Sequence, residues 1–392
     1  MTVSAPHLRL PRPDRRLEDY TPGPPSPYRP NTDGLKSRVA MAAAHVVADP
    51  LADINPREDV AIDWDATMAF RRHLWSHGLG VADAMDTAQR GMGLGWDTAR
   101  ELIAKSAAEA KAYGGKLGCG ANTDQLPDDA NTDLDAIERA YEEQCAYIED
   151  CGAQVILMCS RHLARTAASA DDYIKVYDRV IGRRDKPVIL HWLGDMFDPK
   201  LRGYWGSGDL DAATETFLGL LETHRDRIDG IKMSLLDATR EIDLRRKTAA
   251  LGIRMYTGDD FGFADLIKGD GDHHSDALLG IFDAIAPAAS AALAALDAGE
   301  TARFDDILAP TVPLSRHIFK TPTWHYKTGI VFLAWLNGHQ NHFRMIQGQE
   351  SGRSIQHLAE LFRLADQAQL LADPPLAAYR MQLVLAQAGI DG

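Results

Sequence analysis

Residues 227–235, Arg-Ile-Asp-Gly-Ile-Lys-Met-Ser-Leu, place one lysine, Lys232, at the end of a short apolar run. Ile228 and Ile231 give the run the β-branched character of a buried strand. Burial disfavours the ammonium form of Lys232 and therefore lowers the pKa of its amine. A neutral amine can attack a carbonyl carbon and form an imine. The alternative is a lysine whose stem packs at the strand end while its ammonium group reaches water.

Length and charge limit the kinds of partner that this chain can have. At 392 residues it is long enough for one large α/β domain or for two smaller ones. Its formal net charge is −14, and 45% of its residues are hydrophobic, which is ordinary for a soluble globular protein. The negative charge argues against binding to nucleic acid or to an anionic membrane. We therefore expect the partner to be a small-molecule substrate or another protein.

The cysteines and the N-terminal residues bear on the compartment in which the protein works. The four cysteines, at positions 119, 145, 151 and 159, show no Cys-x-x-Cys spacing, so we expect reduced thiols in a cytoplasmic protein. No apolar run approaches the roughly 20 residues that span a membrane. Residues 1–32 are rich in proline and arginine and lack an apolar centre, which argues against a secretory signal. They are predicted to be an extended arm along the body or a neighbouring subunit, or to be disordered.

Short apolar runs alternate with helical patterns on both sides of residues 227–235. The predicted strands are 37–47, 80–85, 116–121, 153–159, 188–190, 227–235, 253–257 and, less regularly, 271–281. Each connection is long enough for a helix that crosses over to a parallel strand. The pattern predicts an α/β fold, a (β/α)8 TIM barrel over residues 33–298, with a C-terminal helical region over 299–392. An open doubly wound sheet is the rival, but the glycine-rich phosphate loop typical of that fold is missing after the first strand.

Polar residues follow nearly every predicted strand. In chain order they are His45, Asp86 with Thr87, Asn122, Ser160 with Arg161 and His162, His191, Lys232 with Ser234, Asp259 with Asp260, and His273 with His274. In a barrel of this kind, catalytic side chains come from the carboxyl ends of the strands. Packing alone does not explain this concentration, because each buried polar group needs a partner. The sequence therefore predicts an active site at that end of the barrel.

Together these residues can form an imine and then make or break a carbon–carbon bond, which needs no cofactor or metal ion. Lys232 is the predicted nucleophile, His191 the acid or base, and Thr87 a hydroxyl that passes protons. Asp86 is predicted to contact the substrate or the lysine. The other predicted substrate-binding residues are His45, Asn122, Arg161, Ser234 and Asp259. Asp260 is predicted to cap the following helix instead.

Several motifs resemble the class I aldolase family of dihydrodipicolinate synthase and N-acetylneuraminate lyase. They are Gly-Cys-Gly-Ala-Asn-Thr at 118–123, Pro-Val-Ile-Leu at 187–190, Gly-Ile-Lys-Met-Ser at 230–234 and Tyr-Thr-Gly-Asp-Asp at 256–260. Their order and approximate spacing hold from about Ser37 to Leu336. The resemblance implies a (β/α)8 barrel with C-terminal helices, an imine-forming Lys232, and a homodimer or homotetramer.

Two departures from that family indicate a divergent branch. Where the family carries Gly-Thr-Thr-Gly-Glu after its second strand, residues 86–90 are Asp-Thr-Ala-Gln-Arg, which keep one threonine. Where the family carries a proton-relaying tyrosine after its fifth strand, this chain has His191. The resulting prediction is an aldolase or lyase that acts on a 2-oxo acid or a sugar-derived carbonyl compound.

Two other functions stay open from the sequence. His45, Asp86, His191 and Asp259 project from one predicted rim, and three of them could hold a divalent ion in a metal-dependent sugar isomerase or aldolase. The remaining hypothesis is a barrel that binds a carbonyl metabolite without turning it over, with an unreactive Lys232.

Overall fold

Eight parallel strands form a closed barrel in the computed structural model, which describes residues 8–31, 33–128 and 132–390. The strands of the described chain are β1 Leu8–Pro11, β2 Leu17–Tyr20, β3 Ala40–Ala43, β4 Gly80–Asp83, β5 Leu117–Ala121, β6 Gln154–Leu157, β7 Val188–Leu193, β8 Ile228–Ser234, β9 Arg254–Thr257 and β10 Asp276–Leu279. Strands β3 to β10 follow one another around the barrel, and β10 pairs with β3 to close it. Each predicted strand overlaps one of these eight, so the predicted (β/α)8 barrel is confirmed.

Helices separate the barrel strands and make up the chain after the last of them. They are α1 Trp64–Ser76, α2 Trp96–Tyr113, α3 Leu134–Asp150, α4 Arg161–Thr166, α5 Ala170–Gly182, α6 Leu210–Thr223, α7 Ala238–Ala249, α8 Phe263–Lys268, α9 Ile281–Asp297, α10 Thr301–Leu308, α11 Thr311–Ile318, α12 Tyr326–Leu336, α13 Ile355–Gln367 and α14 Pro374–Gln387. The predicted C-terminal helical region is therefore present. None of the helices in the described residues is long and apolar enough to cross a membrane.

The chain divides into two compact units. One unit, residues 38–44 and 80–280, contains all eight barrel strands together with α2 to α8. The other contains the described parts of residues 1–37, 45–79 and 281–392, with β1, β2, α1 and α9 to α14. The predicted domains, 1–32, 33–298 and 299–392, stay a prediction.

The interior of the barrel is filled by apolar side chains from the strands and from the residues that follow them. The cluster consists of Met41, Ala43, Ala82, Met85, Ile156, Met158, Ile189, Tyr256 and Leu278. Strand β5 contributes glycine instead, because a Cβ on Gly120 would lie 2.5 Å from Met158 Sδ and 2.8 Å from the Ala84 carbonyl oxygen. This dense packing fixes the strand backbones on which the polar residues of the rim are mounted.

The N-terminal arm contains a short antiparallel hairpin that the sequence analysis did not predict. Strands β1 and β2 pair with Leu8 opposite Tyr20, and Leu8 is fully buried. The Tyr20 hydroxyl donates to the Asp366 carboxylate on α13 at 2.7 Å, and the Ser26 N–H donates to the Leu371 carbonyl oxygen at 2.8 Å. The arm therefore lies along the C-terminal helices of its own unit. Residues 1–7 and 32 of the predicted arm lie outside the described residues.

His273 and His274 precede β10 rather than follow it, so the prediction that they end the eighth strand is wrong. Gly269 adopts a φ of 84°, and the Asp270 carboxylate accepts a hydrogen bond from the His273 N–H at 3.0 Å. These contacts form a turn over residues that the sequence analysis assigned to the first half of the strand. The two histidines therefore belong to the opposite end of the barrel from Lys232.

Candidate active site

Lys232 lies on β8, and its side chain points into the barrel. Along that strand Gly230, Lys232 and Ser234 share one face, and a Cβ on Gly230 would meet the ring of Tyr256, a member of the interior cluster. The Lys232 side chain is only 4% exposed, and no described residue forms a hydrogen bond or an ion pair with its amine. Burial lowers the pKa of Lys232, while the carboxylates of Asp86 and Asp260 oppose this by favouring the ammonium form.

His191 is the neighbour of Lys232 on the adjacent strand, β7, where the two residues are register partners. Its Nε2 lies 3.1 Å from the Ser234 hydroxyl. Its Nδ1 is buried and has no hydrogen-bond partner in the described part of the chain. Burial, with a further contribution from the Lys232 charge, lowers the pKa of His191 well below its usual range, and Asp86 opposes the shift. The imidazole is therefore neutral at physiological pH.

Asp86 and Thr87 begin the turn that follows β4, a single 3-10 turn over Asp86–Ala88. An ion pair fastens this segment, because the buried Arg90 guanidinium donates to the Asp124 carboxylate at 2.7 and 2.8 Å and to the Gly120 carbonyl oxygen at 2.8 Å. The Asp86 carboxylate opposes the lowering of the pKa of both Lys232 and His191, and its predicted contact with the substrate or the lysine stays a prediction. Thr87 is buried, and its role in proton transfer stays a prediction.

The two aspartates after β9, Asp259 and Asp260, are both buried. The Asp259 carboxylate accepts hydrogen bonds from the N–H groups of Phe261 at 2.8 Å and Gly262 at 2.9 Å, which is a capping contact before α8. Asp260 is buried, and its carboxylate raises the pKa of Lys232. The prediction that Asp260 caps the helix stays a prediction, and so does substrate binding by Asp259.

Asn122 and Arg161 both take part in contacts within the rim. The Asn122 side-chain oxygen accepts a hydrogen bond from the Thr123 N–H at 2.8 Å. The half-exposed Arg161 guanidinium donates to the Asp198 carboxylate at 2.5 Å and to the Gly91 carbonyl oxygen at 3.3 Å. Substrate binding by these two residues stays a prediction, and for Arg161 it would require the ion pair with Asp198 to open.

His45 belongs to the other compact unit, where both of its ring nitrogens are engaged. Its Nδ1 lies 2.8 Å from the Asp283 carboxylate, and its Nε2 lies 3.3 Å from the Gln340 side-chain oxygen. Its carbonyl oxygen accepts a hydrogen bond from Arg71 at 2.5 Å. His45 is therefore part of a buried polar network of that unit, and its predicted contact with substrate stays a prediction.

The alternative metal site draws no support from the geometry of the described residues. The predicted ligands for a divalent ion were three of the four residues His45, Asp86, His191 and Asp259. Among residues 8–31, 33–128 and 132–390, no three histidine, cysteine, aspartate or glutamate side chains are grouped so that they could hold one ion.

Gly258 is the residue of this site that the sequence analysis missed. A Cβ at this position would lie 2.2 Å from the Ser234 Oγ and 3.1 Å from the Lys232 Cε. Glycine is therefore needed for the close approach of β9 to the lysine. The sequence offers one signal, the position of Gly258 directly after a strand and before two acidic residues. Its contact with Ser234 and Lys232 on β8 is visible only in the fold.

Solved structures of two kinds of lyase share this fold. Dihydrodipicolinate synthase from Bacillus clausii matches with a TM-score of 0.62 and 14% sequence identity, over 83% of this chain and 97% of that chain. The synthase from Aquifex aeolicus matches with a TM-score of 0.60 and 12% identity, over 90% and 99%. N-acetylneuraminate lyase from Mycoplasma synoviae matches with a TM-score of 0.58 and 14% identity, over 84% and 98%. The resemblance predicted from the motifs is thus confirmed in the fold.

No curated protein sequence matches this chain. The family model described as "Protein of unknown function (DUF993)" matches residues 8–390, which is nearly the whole chain. The chain therefore belongs to the DUF993 family and has the barrel fold of the dihydrodipicolinate synthases and N-acetylneuraminate lyases.

Proposed function

We propose that this protein is an imine-forming aldolase or lyase of the dihydrodipicolinate synthase type, which acts on a 2-oxo acid or a sugar-derived carbonyl compound. The observation that carries the proposal is the buried Lys232 amine with no hydrogen bond or ion pair to the described residues. A buried ammonium group without such a partner is unfavourable, whereas a neutral amine tolerates burial. The neutral amine is also the form that attacks a carbonyl carbon.

The reaction begins when Lys232 Nζ bonds to the carbonyl carbon of the substrate. The carbonyl oxygen takes up protons and leaves as water, and the nitrogen becomes part of a cationic imine. This cation withdraws the electron pair of the bond between the carbons α and β to the imine carbon. That bond breaks, and an enamine forms. The hydroxyl proton of the departing fragment passes to a base as that fragment becomes a carbonyl compound. Protonation of the enamine carbon and hydrolysis of the imine then restore the lysine.

His191 is the base and acid in this scheme. It is a neutral imidazole next to Lys232, and its buried Nδ1 has no partner among the described residues. Leaving a buried nitrogen unpaired costs about 1–3 kcal/mol, which a substrate hydroxyl can offset by forming the missing hydrogen bond. The Ser234 hydroxyl next to Nε2 sets the orientation of the ring.

The proposal is tested by borohydride reduction in the presence of a panel of 2-oxo acids and hydroxylated aldehydes and ketones. We expect at least one compound to give a reduced adduct on the peptide that carries Lys232, identified by mass, and Lys232→Met to abolish it. Lys327 offers a matched control because it is also 4% exposed, but its amine donates to the Trp324 carbonyl oxygen at 3.3 Å. Lys327→Met should retain the adduct.

Two results would contradict the proposal. Saturable binding of a carbonyl compound with neither an adduct nor a product would favour the non-catalytic binder. Turnover that persists in Lys232→Met would assign the chemistry to another group.

A further inference from the structure

The charged groups that act on the Lys232 amine are acidic. Asp86 lies in the turn after β4 and Asp260 in the loop after β9, at the same end of the barrel as Lys232, and both carboxylates favour its ammonium form. Asp86 also acts on His191, the register partner of the lysine. Burial lowers both pKa values, and the carboxylates oppose this shift. The charged side chains that affect the Lys232 amine are therefore two carboxylates that follow strands at its own end of the barrel.

The basic side chains of the segments that follow these strands are already paired with carboxylates at the same end of the barrel. Arg90 pairs with Asp124 at 2.7 Å, and this arginine is buried in that contact. Arg161 pairs with Asp198 at 2.5 Å. The remaining pairs are Arg165 with Asp128, Lys200 with Asp128, and Arg202 with Asp195, at 2.6, 3.0 and 3.1 Å. In the described parts of the loops that follow β4 to β9, every lysine and arginine has such a partner.

This arrangement disfavours an anionic substrate. A carboxylate attached to the reacting carbonyl would be held beside Lys232, where it would meet two like charges and no unpaired cation from the described loops after β4 to β9. A hydroxyl group at the same position can instead donate a hydrogen bond to either aspartate, and such bonds to ionised acceptors are the strong ones. On this argument the site accepts a hydroxymethyl group on the carbonyl carbon more readily than a carboxylate.

We infer that the substrate captured by Lys232 is an uncharged, hydroxylated aldehyde or ketone, of the class derived from sugars, and that Asp86 and Asp260 accept hydrogen bonds from its hydroxyl groups. This inference rests on the proposed imine chemistry and reduces its two substrate classes to one. It also gives a reason for the changed loop at residues 86–90, where an acidic residue precedes the single remaining threonine.

The test compares two compounds with the same skeleton, hydroxyacetone and pyruvate, which differ in having a hydroxymethyl group or a carboxylate on the ketone carbon. The rate of reductive trapping at Lys232 is measured by mass at equal concentrations, and each rate is divided by that of free Nα-acetyl-lysine to remove intrinsic reactivity. We expect the corrected rate to be at least tenfold higher for hydroxyacetone. Asp86→Asn should lower this preference by about tenfold, since it removes one of the two repelling charges.

Two further variants keep the comparison interpretable. Asp260→Asn should lower the preference in the same direction as Asp86→Asn, so the test does not depend on the folding of one variant. Asp265→Asn, an exposed carboxylate on α8 that pairs with Lys268, should leave it unchanged.

The outcomes separate the two proposals. A corrected rate in the unaltered protein that is equal or higher for pyruvate would overturn the inference on substrate charge and leave the imine chemistry standing. The absence of any adduct with either compound or with the wider panel would remove the imine chemistry, and the inference with it.

Discussion

Lys232 and His191 are register partners across the β7–β8 pair, and the side chains of both are buried in the barrel. Neighbouring strands are about 4.8 Å apart, so this relationship holds an amine and an imidazole side by side through the backbone hydrogen bonds of the sheet. Burial lowers the pKa of both groups, and both are therefore biased towards the neutral forms that an imine mechanism uses. A rigid strand pair fixes this geometry better than two loops would.

The first prediction concerns Asp260 and the pH dependence of trapping. Its carboxylate raises the pKa of Lys232, whereas the charged groups that shift the pKa of His191 are Lys232 and Asp86. Asp260→Asn should therefore lower the pKa of Lys232 further, so that the neutral amine persists to lower pH. We expect the pH at which the trapping rate rises to be lower, so that the fraction of the maximal rate reached near pH 6 is several-fold higher. The rate is measured with cyanoborohydride between pH 5 and 8.

The control for this experiment is Asp265→Asn, because that carboxylate is 89% exposed on α8. Its pH profile should overlay that of the unaltered protein. If the trapping rate of Asp260→Asn rises at the same pH or at a higher pH, the electrostatic role given to Asp260 is contradicted.

The second prediction concerns Gly258. In Gly258→Ala the new methyl group would be 2.2 Å from the Ser234 Oγ, so Ser234 and the Lys232 stem must move. We expect a loss of stability of about 1–3 kcal/mol from overpacking and a fall in trapping at Lys232 of tenfold or more. Gly219→Ala on α6 is the matched control, since nothing lies within 4 Å of its added Cβ. That variant should gain about 0.5–1 kcal/mol of helix stability and trap normally.

The barrel was predictable because its signal is local and repeated. Each strand is a short apolar run, and the order of the runs along the chain is also their order around the sheet. For the same reason Lys232 and His191, at the ends of successive strands, could be expected to meet. The β1–β2 hairpin was not predicted, since its strands have only four residues each and lie in a proline-rich sequence.

Contacts that depend on the path of a loop could not be predicted from the sequence. The capping contact of Asp259 and the effect of Asp260 on the pKa of Lys232 both depend on the turn after β9. Arg161 pairs with Asp198, 37 residues further along the chain, and no local pattern reports such a pairing. The pairing decides whether the arginine charge is available to a substrate, so the substrate class could not be inferred until the fold was known.

The third prediction concerns Glu241, a buried carboxyl group behind β9. It accepts hydrogen bonds from the Thr257 hydroxyl at 3.0 Å and the Ser275 hydroxyl at 2.7 Å, and burial raises its pKa to about 8. The folded state therefore holds a proton that the unfolded chain releases above about pH 4.5, so this group makes stability fall as pH rises from there to about 8. Glu241→Gln, which is neutral throughout, should remove that part of the fall.

Urea unfolding at pH 5.5 and pH 8 measures the effect. The loss of unfolding free energy between the two pH values should be smaller in Glu241→Gln, by on the order of a few kcal/mol. Because other titrating groups are common to both proteins, they cancel in this difference. An equal or larger loss in the variant would mean that Glu241 is ionised in the folded protein at neutral pH.

The fourth prediction concerns the stability that is lost when either of two aspartates, both paired with basic residues, is removed. Asp124→Ala leaves the Arg90 guanidinium, which is 1% exposed, without its carboxylate, and we expect a loss of about 3–5 kcal/mol of unfolding free energy. Asp128 pairs with Arg165 and Lys200, but it is 68% exposed, and Asp128→Ala should change stability little because water replaces the lost contacts. Unfolding of both variants in urea measures the two losses of unfolding free energy. Equal losses would mean that the Arg90 pair is no more important to the fold than a surface pair, and that the segment carrying Asp86 is held by other contacts.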